Sequence, residues 1–241
     1  MGSGALPAGG GWQLIHTDRI SPNQGPRRDG QRPDLVVIHY TAMRTAAAAC
    51  DTLCNPETQV SAHYLIAEDG TVQRLVPEEM RAWHAGAGRW GAVTDVNSRS
   101  IGIELANPGH CPFANAQMDA LCDLLGGIMQ RWSVPPARII AHSDMAPGRK
   151  IDPGVRFDWR RLARLGLSVW PEPVSDIPDT NRFRPLLARA GYTADVADDI
   201  LLAAFRLRFR PRATGPLCAA DMALVADLAQ RFPVDADTAT A

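Results

Sequence analysis

Short apolar runs rich in β-branched residues alternate with amphipathic stretches along most of the chain. Residues 34–41 (DLVVIHYT), 99–107 (RSIGIELAN) and 137–142 (ARIIAH) have continuous apolar centres, which predicts three buried strands. Residues 62–77 hold two strand-like runs on either side of Asp69-Gly70, a dipeptide typical of a hairpin turn. The pattern therefore predicts a sheet that contains both buried strands and a hairpin.

Three stretches between and after these strands predict helices. The first covers residues 43–55 and ends near Asn55-Pro56. The second covers residues 115–132 and has helical periodicity, with four apolar residues on one side: Leu121, Leu124, Leu125 and Ile128. The third covers residues 157–166. Strands and helices alternate, so we predict an α/β (α+β) fold in which helices flank a mixed β-sheet.

The composition of the chain changes after Leu167. Residues 168–180 are rich in proline and polar residues, which predicts a linker, and residues 181–241 predict a small module of three helices with a polar tail. We therefore divide the chain into an N-terminal extension (1–33), an α/β domain (34–167), a linker (168–180) and a helical domain (181–241).

Charge and hydropathy exclude some classes of function. The chain has 25 Lys+Arg against 26 Asp+Glu and a net charge of -1, so it lacks the excess of basic residues typical of nucleic-acid-binding proteins. It also lacks the polybasic run typical of proteins that bind a membrane surface. No apolar run approaches the roughly 18 residues of a membrane span. We expect no nucleic-acid partner and no transmembrane segment.

Cysteine usage and the N-terminal sequence bear on the compartment. The five cysteines are odd in number and resemble no disulfide framework, and free thiols favour a reducing compartment. The first residues, MGSGALPAGGGWQ, lack a basic segment followed by an apolar one, so no secretory signal is visible. We expect a cytoplasmic protein; the alternative is a periplasmic protein whose signal peptide has been removed.

Polar groups occur where the predicted strands end, and the loop after the third strand holds more. His39 and His142 end two apolar runs, and Glu104 lies inside another. A lone histidine at a strand end is more often structural than a ligand, whereas a buried glutamate needs a cation, a metal or a catalytic role. The loop AHSDMAPGRKIDPG (141–154) adds Asp144, which we expect to cap the loop, together with Lys150 and Asp152.

These residues could form a catalytic zinc site. Such sites use three protein ligands and leave the fourth position open, and His39, His142 and Asp152 would make such a set. Lys150 would then lie beside the metal and stabilise an oxyanion. The spacing is not a diagnostic motif, so structural histidines and a solvated lysine remain the alternatives. Residues 83–88 (WHAGAG) are either a cleft-lining loop or a glycine turn, and His63 is expected in the core or behind the ligands.

Five segments together resemble a known family. VVIHYTA, SAHYLIAEDGTVQRLVPE, AWHAG, NSRSIGIELANPG and AHSDMAPGRKIDPG are similar to the zinc-dependent N-acetylmuramoyl-L-alanine amidases of the amidase-2 type, relatives of phage lysozyme-amidases and peptidoglycan recognition proteins. The resemblance runs from about Gly11 to Leu167. The segment GYTADVADDILLAAFRLRFRP more weakly resembles a small peptidoglycan-binding module.

The resemblance implies roles for individual residues. It implies that Zn²⁺ is bound in a surface cleft by His39, His142 and Asp152, and that Glu104 and Lys150 are catalytic. It places Trp83, His84 and Asn97 in the substrate cleft. The sequence departs from some relatives at Ala62, where they carry a catalytic tyrosine, so Glu104 must carry more of the proton transfer.

The function implied by the resemblance is hydrolysis of the amide bond between N-acetylmuramic acid, in its 1,6-anhydro form, and the L-alanine of the stem peptide. Its partners would be peptidoglycan fragments from wall recycling or turnover. Two alternatives remain at this stage. One is a peptidoglycan-recognition protein without catalysis, and the other is a zinc peptidase that cuts within the stem peptide.

Overall fold

The computed structural model describes residues 16–235. The predicted polar tail from residue 236 onward and residues 1–15 of the predicted N-terminal extension lie outside the described residues. Within them, the strands are β1 (His16–Asp18), β2 (Gln24–Pro26), β3 (Leu35–Tyr40), β4 (Tyr64–Ile66), β5 (Val72–Arg74), β6 (Met80–Ala82), β7 (Ser100–Leu105) and β8 (Ile139–Ala141). The helices are α1 (Ala46–Leu53), α2 (Val96–Arg99), α3 (Asn115–Trp132), α4 (His142–Met145), α5 (Trp159–Arg164), α6 (Phe183–Arg189), α7 (Asp198–Phe209) and α8 (Ala219–Arg231).

Six of the strands form one mixed sheet in the order β1-β5-β4-β7-β3-β8. Strand β3 lies between β7 and β8 and is parallel to both, while β4 and β5 form the antiparallel hairpin predicted around Asp69-Gly70. The strands β2 and β6 pair separately as a small antiparallel ribbon. The predicted mixed sheet flanked by helices is therefore confirmed.

The two faces of the sheet pack against different helices. On β3, Val36 and Ile38 belong to a core cluster with α3 and α5, whereas Leu35 and Val37 belong to a cluster that contains residues of α6, α7 and α8. This alternation is the period-2 geometry of a strand that is covered on both faces. His39 continues the series of Leu35 and Val37, so its side chain leaves the sheet on the face of the C-terminal helices.

The C-terminal helices share a hydrophobic cluster with the sheet. Phe205 of α7 is fully buried in this cluster together with Val37 and Ile140 from two strands. The segment predicted as a linker runs along α8, where the backbone N–H of Glu172 donates to Asp227. Of the helices in residues 16–235, none is both long and apolar enough to span a membrane.

Candidate metal centre

Three potential ligand atoms meet at the carboxyl end of β3. The Nδ1 atoms of His39 and His142 and the Oδ2 atom of Asp152 are each 2.9 Å from the other two. All three residues are buried. The three residues grouped by sequence as a zinc-binding set thus lie together in the fold.

The local chain path explains how residues so far apart in sequence meet. His39 lies near the end of β3, and the parallel strand β8 ends beside it at Ala141, so His142 begins α4 at the same edge of the sheet. The loop then returns, and the backbone N–H of Ser143 donates to the Asp152 carbonyl at 3.1 Å. Parallel strands place their carboxyl ends at the same edge of the sheet. Ligand sites in α/β sheets lie outside this edge, which is where these three residues meet.

The tautomer of His142 follows from its partner. Its Nε2 atom lies 2.9 Å from the backbone carbonyl of Ala85. A carbonyl oxygen only accepts hydrogen bonds, so Nε2 carries the proton and donates it to Ala85. In the neutral ring, Nδ1 therefore presents a lone pair to the centre.

A chain of hydrogen bonds fixes the tautomer of His39 in the same way. The Ser100 hydroxyl donates to the Val96 carbonyl at 2.6 Å, so its oxygen accepts from Nε2 of His84 at 3.1 Å. The Nδ1 atom of His84 then accepts from Nε2 of His39 at 3.0 Å. This leaves Nδ1 of His39 unprotonated and directed toward Asp152 and His142.

Burial keeps His39 neutral, and the two neighbouring histidines keep Asp152 charged. Burial, reinforced by nearby His142, lowers the pKa of His39 to about 4. Although burial opposes it, the neighbouring His142 and His39 hold the pKa of Asp152 well below its usual range. Two imidazole lone pairs and a carboxylate oxygen therefore converge with no proton assigned between them.

This donor set fits a divalent metal. Three electron-pair donors at 2.9 Å repel one another unless a cation lies between them. Two imidazole nitrogens and one carboxylate oxygen are ligands that zinc takes in catalytic sites, with a fourth position open. The residues present are therefore compatible with a bound metal ion.

Glu104 lies beside this centre on the neighbouring strand. In the β3–β7 ladder it is the direct partner of His39. Its Oε2 atom is buried and has no hydrogen-bond partner. Burial, together with the negative charge of Asp152, raises the pKa of the Glu104 carboxyl to about 8. A carboxyl group with a free oxygen and a pKa near neutrality is suited to proton transfer.

A cavity of about 520 Å³ opens over the three ligands. Glu104 and Lys150 both line it, Lys150 from its exposed rim. Apolar residues form part of the wall: Met43, Val60, Trp83 and Ile151. The cavity therefore combines a metal-type donor set, a carboxyl group, a cation and an apolar wall, which are the parts of a hydrolase site.

The loop at residues 83–88 forms one side of the cavity. Trp83 and His84 are among the residues that line it. Asn97 lies behind the loop, where its Oδ1 accepts from the backbone N–H groups of His84 (3.1 Å) and Ala85 (2.9 Å). Its amide oxygen thus holds the loop that carries His84, and Asn97 is not among the residues that line this cavity.

His63 and Asp144 have the structural positions that we expect. Nδ1 of His63 accepts from the Gly102 N–H at 3.0 Å, and its Nε2 donates to the Met80 carbonyl. Burial, followed by the charge of Arg27, lowers the pKa of His63 to about 3. Asp144 accepts from the Ala141 N–H and so caps the turn that begins at His142.

Sequence reasoning missed several residues that support the site. Arg149 donates to the carbonyls of Ala85 and Ala87 and so ties the two cavity loops together. Ser100 had no signal, because its partner is distant in sequence. Lys150, by contrast, was identified from the sequence, and it is the single lysine of the chain beside 24 arginines.

Comparison with known proteins gives the family. Residues 29–155, just over half of the chain, match the N-acetylmuramoyl-L-alanine amidase family. The N-acetylmuramoyl-L-alanine amidase AmiD of Escherichia coli is 37% identical over 215 residues, covering 75% of this chain and 76% of AmiD. The 1,6-anhydro-N-acetylmuramyl-L-alanine amidase AmpD of Citrobacter freundii is 31% identical over 173 residues, covering 64% of this chain and 92% of AmpD.

Solved structures agree with these matches. The complex of E. coli AmiD with anhydro-N-acetylmuramic acid-L-Ala-D-gamma-Glu-L-Lys superposes with a TM-score of 0.76 at 34% identity, covering 90% of this chain and 94% of that one. Pseudomonas aeruginosa AMPDH3 in complex with anhydromuramic pentapeptide gives a TM-score of 0.75 at 30% identity, covering 86% and 94%. The chain belongs to the N-acetylmuramoyl-L-alanine amidase family.

Proposed function

We propose that this protein uses zinc to hydrolyse the amide bond between 1,6-anhydro-N-acetylmuramic acid and the L-alanine of the stem peptide. The observation that carries the proposal is the convergence of His39, His142 and Asp152 at 2.9 Å in a cavity shared with Glu104 and Lys150. The AmiD and AMPDH3 complexes support the substrate class, because each holds an anhydromuramic peptide.

In this proposal His39, His142 and Asp152 hold the zinc ion. When bound, zinc supplies Lewis acidity, which polarises a carbonyl group and acidifies a water molecule. The chain orients both imidazoles before the metal arrives, His142 through the Ala85 carbonyl and His39 through His84. Such partners raise the affinity of a site, because the ligands need no rearrangement on binding.

Glu104 moves the proton in this proposal. Its free Oε2 atom accepts a proton from the attacking water and then passes it to the leaving amine of L-alanine. Burial raises the pKa of this carboxyl to about 8, and the charge of a divalent cation nearby would favour its ionised form. Ala62 replaces the tyrosine of some relatives, which leaves Glu104 as the proton carrier of the cavity.

Lys150 stabilises negative charge on the scissile carbonyl oxygen. Its ammonium group lies on the same loop as Asp152, two residues earlier, and lines the same cavity. An ammonium is a compact charge that adjusts its position, in contrast to the planar guanidinium of the chain's arginines. The apolar side chain of Trp83 supplies a wall for the substrate, while His84 and Asn97 hold the inner surface of the cleft.

The two rival functions predict different products. A zinc peptidase would cut within the stem peptide, and a recognition protein would cut nothing. Retention of the whole set, from the metal ligands to Glu104 and Lys150, favours catalysis.

The deciding experiment is hydrolysis of anhydro-N-acetylmuramyl-L-Ala-D-γ-Glu-L-Lys by zinc-loaded protein in ¹⁸O-labelled water, followed by mass spectrometry. An amidase places one ¹⁸O atom in the lactyl carboxylate of the sugar and releases an unlabelled, intact tripeptide. Label in a carboxylate of the peptide would show a peptidase. Absence of any product from zinc-loaded protein would reject the proposed function.

We further propose that the substrates are soluble recycling fragments and that the protein is cytoplasmic. The described cysteines, at positions 50, 54, 111, 122 and 218, are all unpaired, which suits a reducing compartment. Digestion of soluble anhydro-muropeptide and of intact sacculi separates the possibilities. Cleavage of the soluble substrate alone supports recycling, whereas cleavage of sacculi as well favours an envelope enzyme whose helices at residues 183–231 bind glycan.

A further inference from the structure

A buried ion pair connects the C-terminal helices to the turn that carries His142. The carboxylate of Asp144 is fully buried in α4. Its Oδ2 atom accepts from the Arg208 guanidinium of α7 at 2.5 Å, and its Oδ1 atom accepts from the Tyr192 hydroxyl at 2.6 Å. Both donors come from the C-terminal helical region, and the acceptor lies two residues from a proposed zinc ligand.

Arg208 also contacts three other segments of the chain. Besides Asp144, it donates to the carbonyl of Ile139 in β8 and to the Ser168 hydroxyl. Its guanidinium stacks 4.0 Å from the ring centroid of Trp159 in α5. The side chain is buried, so these contacts are made away from bulk water. One arginine thus joins the first residue of β8 to α4.

The pair reaches two of the three ligands through the backbone. Asp144 also accepts from the Ala141 N–H, which immediately precedes His142. The neighbouring Ser143 N–H donates to the carbonyl of Asp152. A shift of this turn would therefore move His142 and release Asp152 at the same time. The third ligand, His39, lies on β3 and is held separately.

We infer that Arg208 and Tyr192 are positioning residues for the metal centre. They hold Asp144 so that the α4 turn presents His142 and Asp152 in the geometry that zinc requires. In this chain the C-terminal helices are then part of the frame of the catalytic centre, in addition to anything they bind. The inference rests on the proposed zinc function of the site.

The chain offers a matched control two residues away on the same helix. Arg206 forms a buried bidentate ion pair with Asp221 of α8, at 3.0 Å and 2.5 Å. It also donates to the Gly215 and Pro216 carbonyls. These partners lie within the C-terminal helical region, so loss of Arg206 removes a comparable buried pair without touching α4.

The test compares Arg208→Met, Arg208→Lys, Tyr192→Phe and Arg206→Met in the full chain. Zinc affinity is measured by competition with a chromophoric chelator, and the visible spectrum of the Co²⁺-substituted protein reports ligand geometry. We expect Arg208→Met to bind zinc about tenfold to a hundredfold more weakly and to change the Co²⁺ spectrum. Arg208→Lys should recover part of the affinity, and Tyr192→Phe should lose a few-fold.

Arg206→Met should lower the unfolding temperature and leave zinc affinity and the Co²⁺ spectrum as in the parent. Wild-type zinc affinity in Arg208→Met, or an equal loss in Arg206→Met, would overturn the inference. If Arg208→Met does not fold, Arg208→Lys and Tyr192→Phe decide the question by the same criteria. A parent protein that binds no zinc would instead reject the proposed function.

Discussion

The histidines of this site are oriented by hydrogen bonds in which the donor and the acceptor can be assigned without ambiguity. A backbone carbonyl at each end, Ala85 for His142 and Val96 for the Ser100–His84–His39 chain, determines where every proton lies. The consequence is a set of donors that is complete before a metal binds. At the scale of single residues, the site is therefore arranged for a cation.

Lys150 gives the first prediction at this scale. Lys150→Ala should lower kcat for anhydro-muramyl peptide by about a hundredfold or more, because one stabiliser of an oxyanion is typically worth about 3 kcal/mol. Zinc content, measured by metal analysis, should stay at the parent value, since Lys150 is not in the ligand set. Lys150→Arg is the control that keeps the charge, and it should recover part of the activity. Full activity of Lys150→Ala would remove the oxyanion role.

Glu104 gives a prediction about pH in the metal-free protein. Its folded-state pKa of about 8 is above the ordinary value of 4.5, so between these values the folded state holds a proton that the unfolded state has lost. Stability must therefore fall as pH rises from 6 to 9, by about 2–3 kcal/mol from this group. Glu104→Gln should remove that part of the slope.

Urea unfolding of metal-free parent and Glu104→Gln at pH 6 and pH 9 measures the difference. The two proteins should diverge in stability as pH rises, with the variant the more stable of the pair at pH 9. Parallel pH profiles would show that the Glu104 carboxyl ionises as an ordinary exposed glutamate does.

At the scale of elements, the β3–β7 pair places Glu104 beside His39. Register sets Glu104 opposite His39, and the same register sets Gly102 opposite Val37. Gly102 lies directly against the ring of His84, where an added Cβ atom would be 2.6 Å from Nδ1. The strand therefore needs glycine here so that the His84 ring can approach and accept from His39.

Gly102→Ala should weaken zinc binding at least tenfold and destabilise the fold by about 1–3 kcal/mol, because the His84 ring must move. Gly126→Ala in α3 is the matched control, since an added Cβ there meets no atom within 4 Å. That control should gain about 0.5–1 kcal/mol of stability and keep its zinc affinity. Chelator competition and thermal unfolding measure both, and unchanged zinc affinity in Gly102→Ala would contradict this account of the strand.

The sequence allows elements with a clear apolar pattern to be predicted and gives no signal for the others. The periodicity of residues 115–132 predicts α3 with its observed ends, and the three helices after residue 181 correspond to α6, α7 and α8. The strands β1, β2 and β6 have three residues each and lie in no apolar run, whereas the equally short β4, β5 and β8 lie within longer apolar runs. The pairing of β1, β2 and β6 depends on partners far along the chain.

In the candidate site, too, some residues can be predicted from the sequence and others cannot. His39, Glu104 and His142 are visible because polar groups interrupt apolar strands, and Asp152 because it follows in a loop dense in glycine and proline. The support of these residues by Ser100, Ala85 and Arg208 is not visible, since each contact joins segments distant in sequence. Asn97 shows what a family resemblance leaves out. The resemblance places Asn97 near the cleft, but it does not reveal that the Asn97 side chain accepts hydrogen bonds from the backbone of His84 and Ala85.

At the scale of the whole molecule, the sheet is covered on both faces and the site lies on the face toward the C-terminal helices. Phe205 of α7 is fully buried in the cluster that also contains Leu35 and Val37 of β3. Burial shared in this way couples the two regions energetically. We therefore expect residues 16–235 to unfold in one transition.

Phe205→Ala tests this coupling. It should lower the free energy of unfolding by about 3–5 kcal/mol, because it leaves a cavity at the junction of sheet and helices. Calorimetry should show a single transition that moves as a whole to lower temperature. Separation into two transitions, with the sheet melting at its original temperature, would mean that the helices are an independent unit.

The central claim is that one catalytic zinc ion is held by His39, His142 and Asp152. The most direct measurement is titration of metal-free protein with zinc, following anhydro-muramyl peptide cleavage and bound metal together. Activity should rise linearly and stop at one zinc per chain, and His39→Ala, His142→Ala and Asp152→Ala should each lose both metal and activity. Full activity without zinc, or in any of the three variants, would contradict the account.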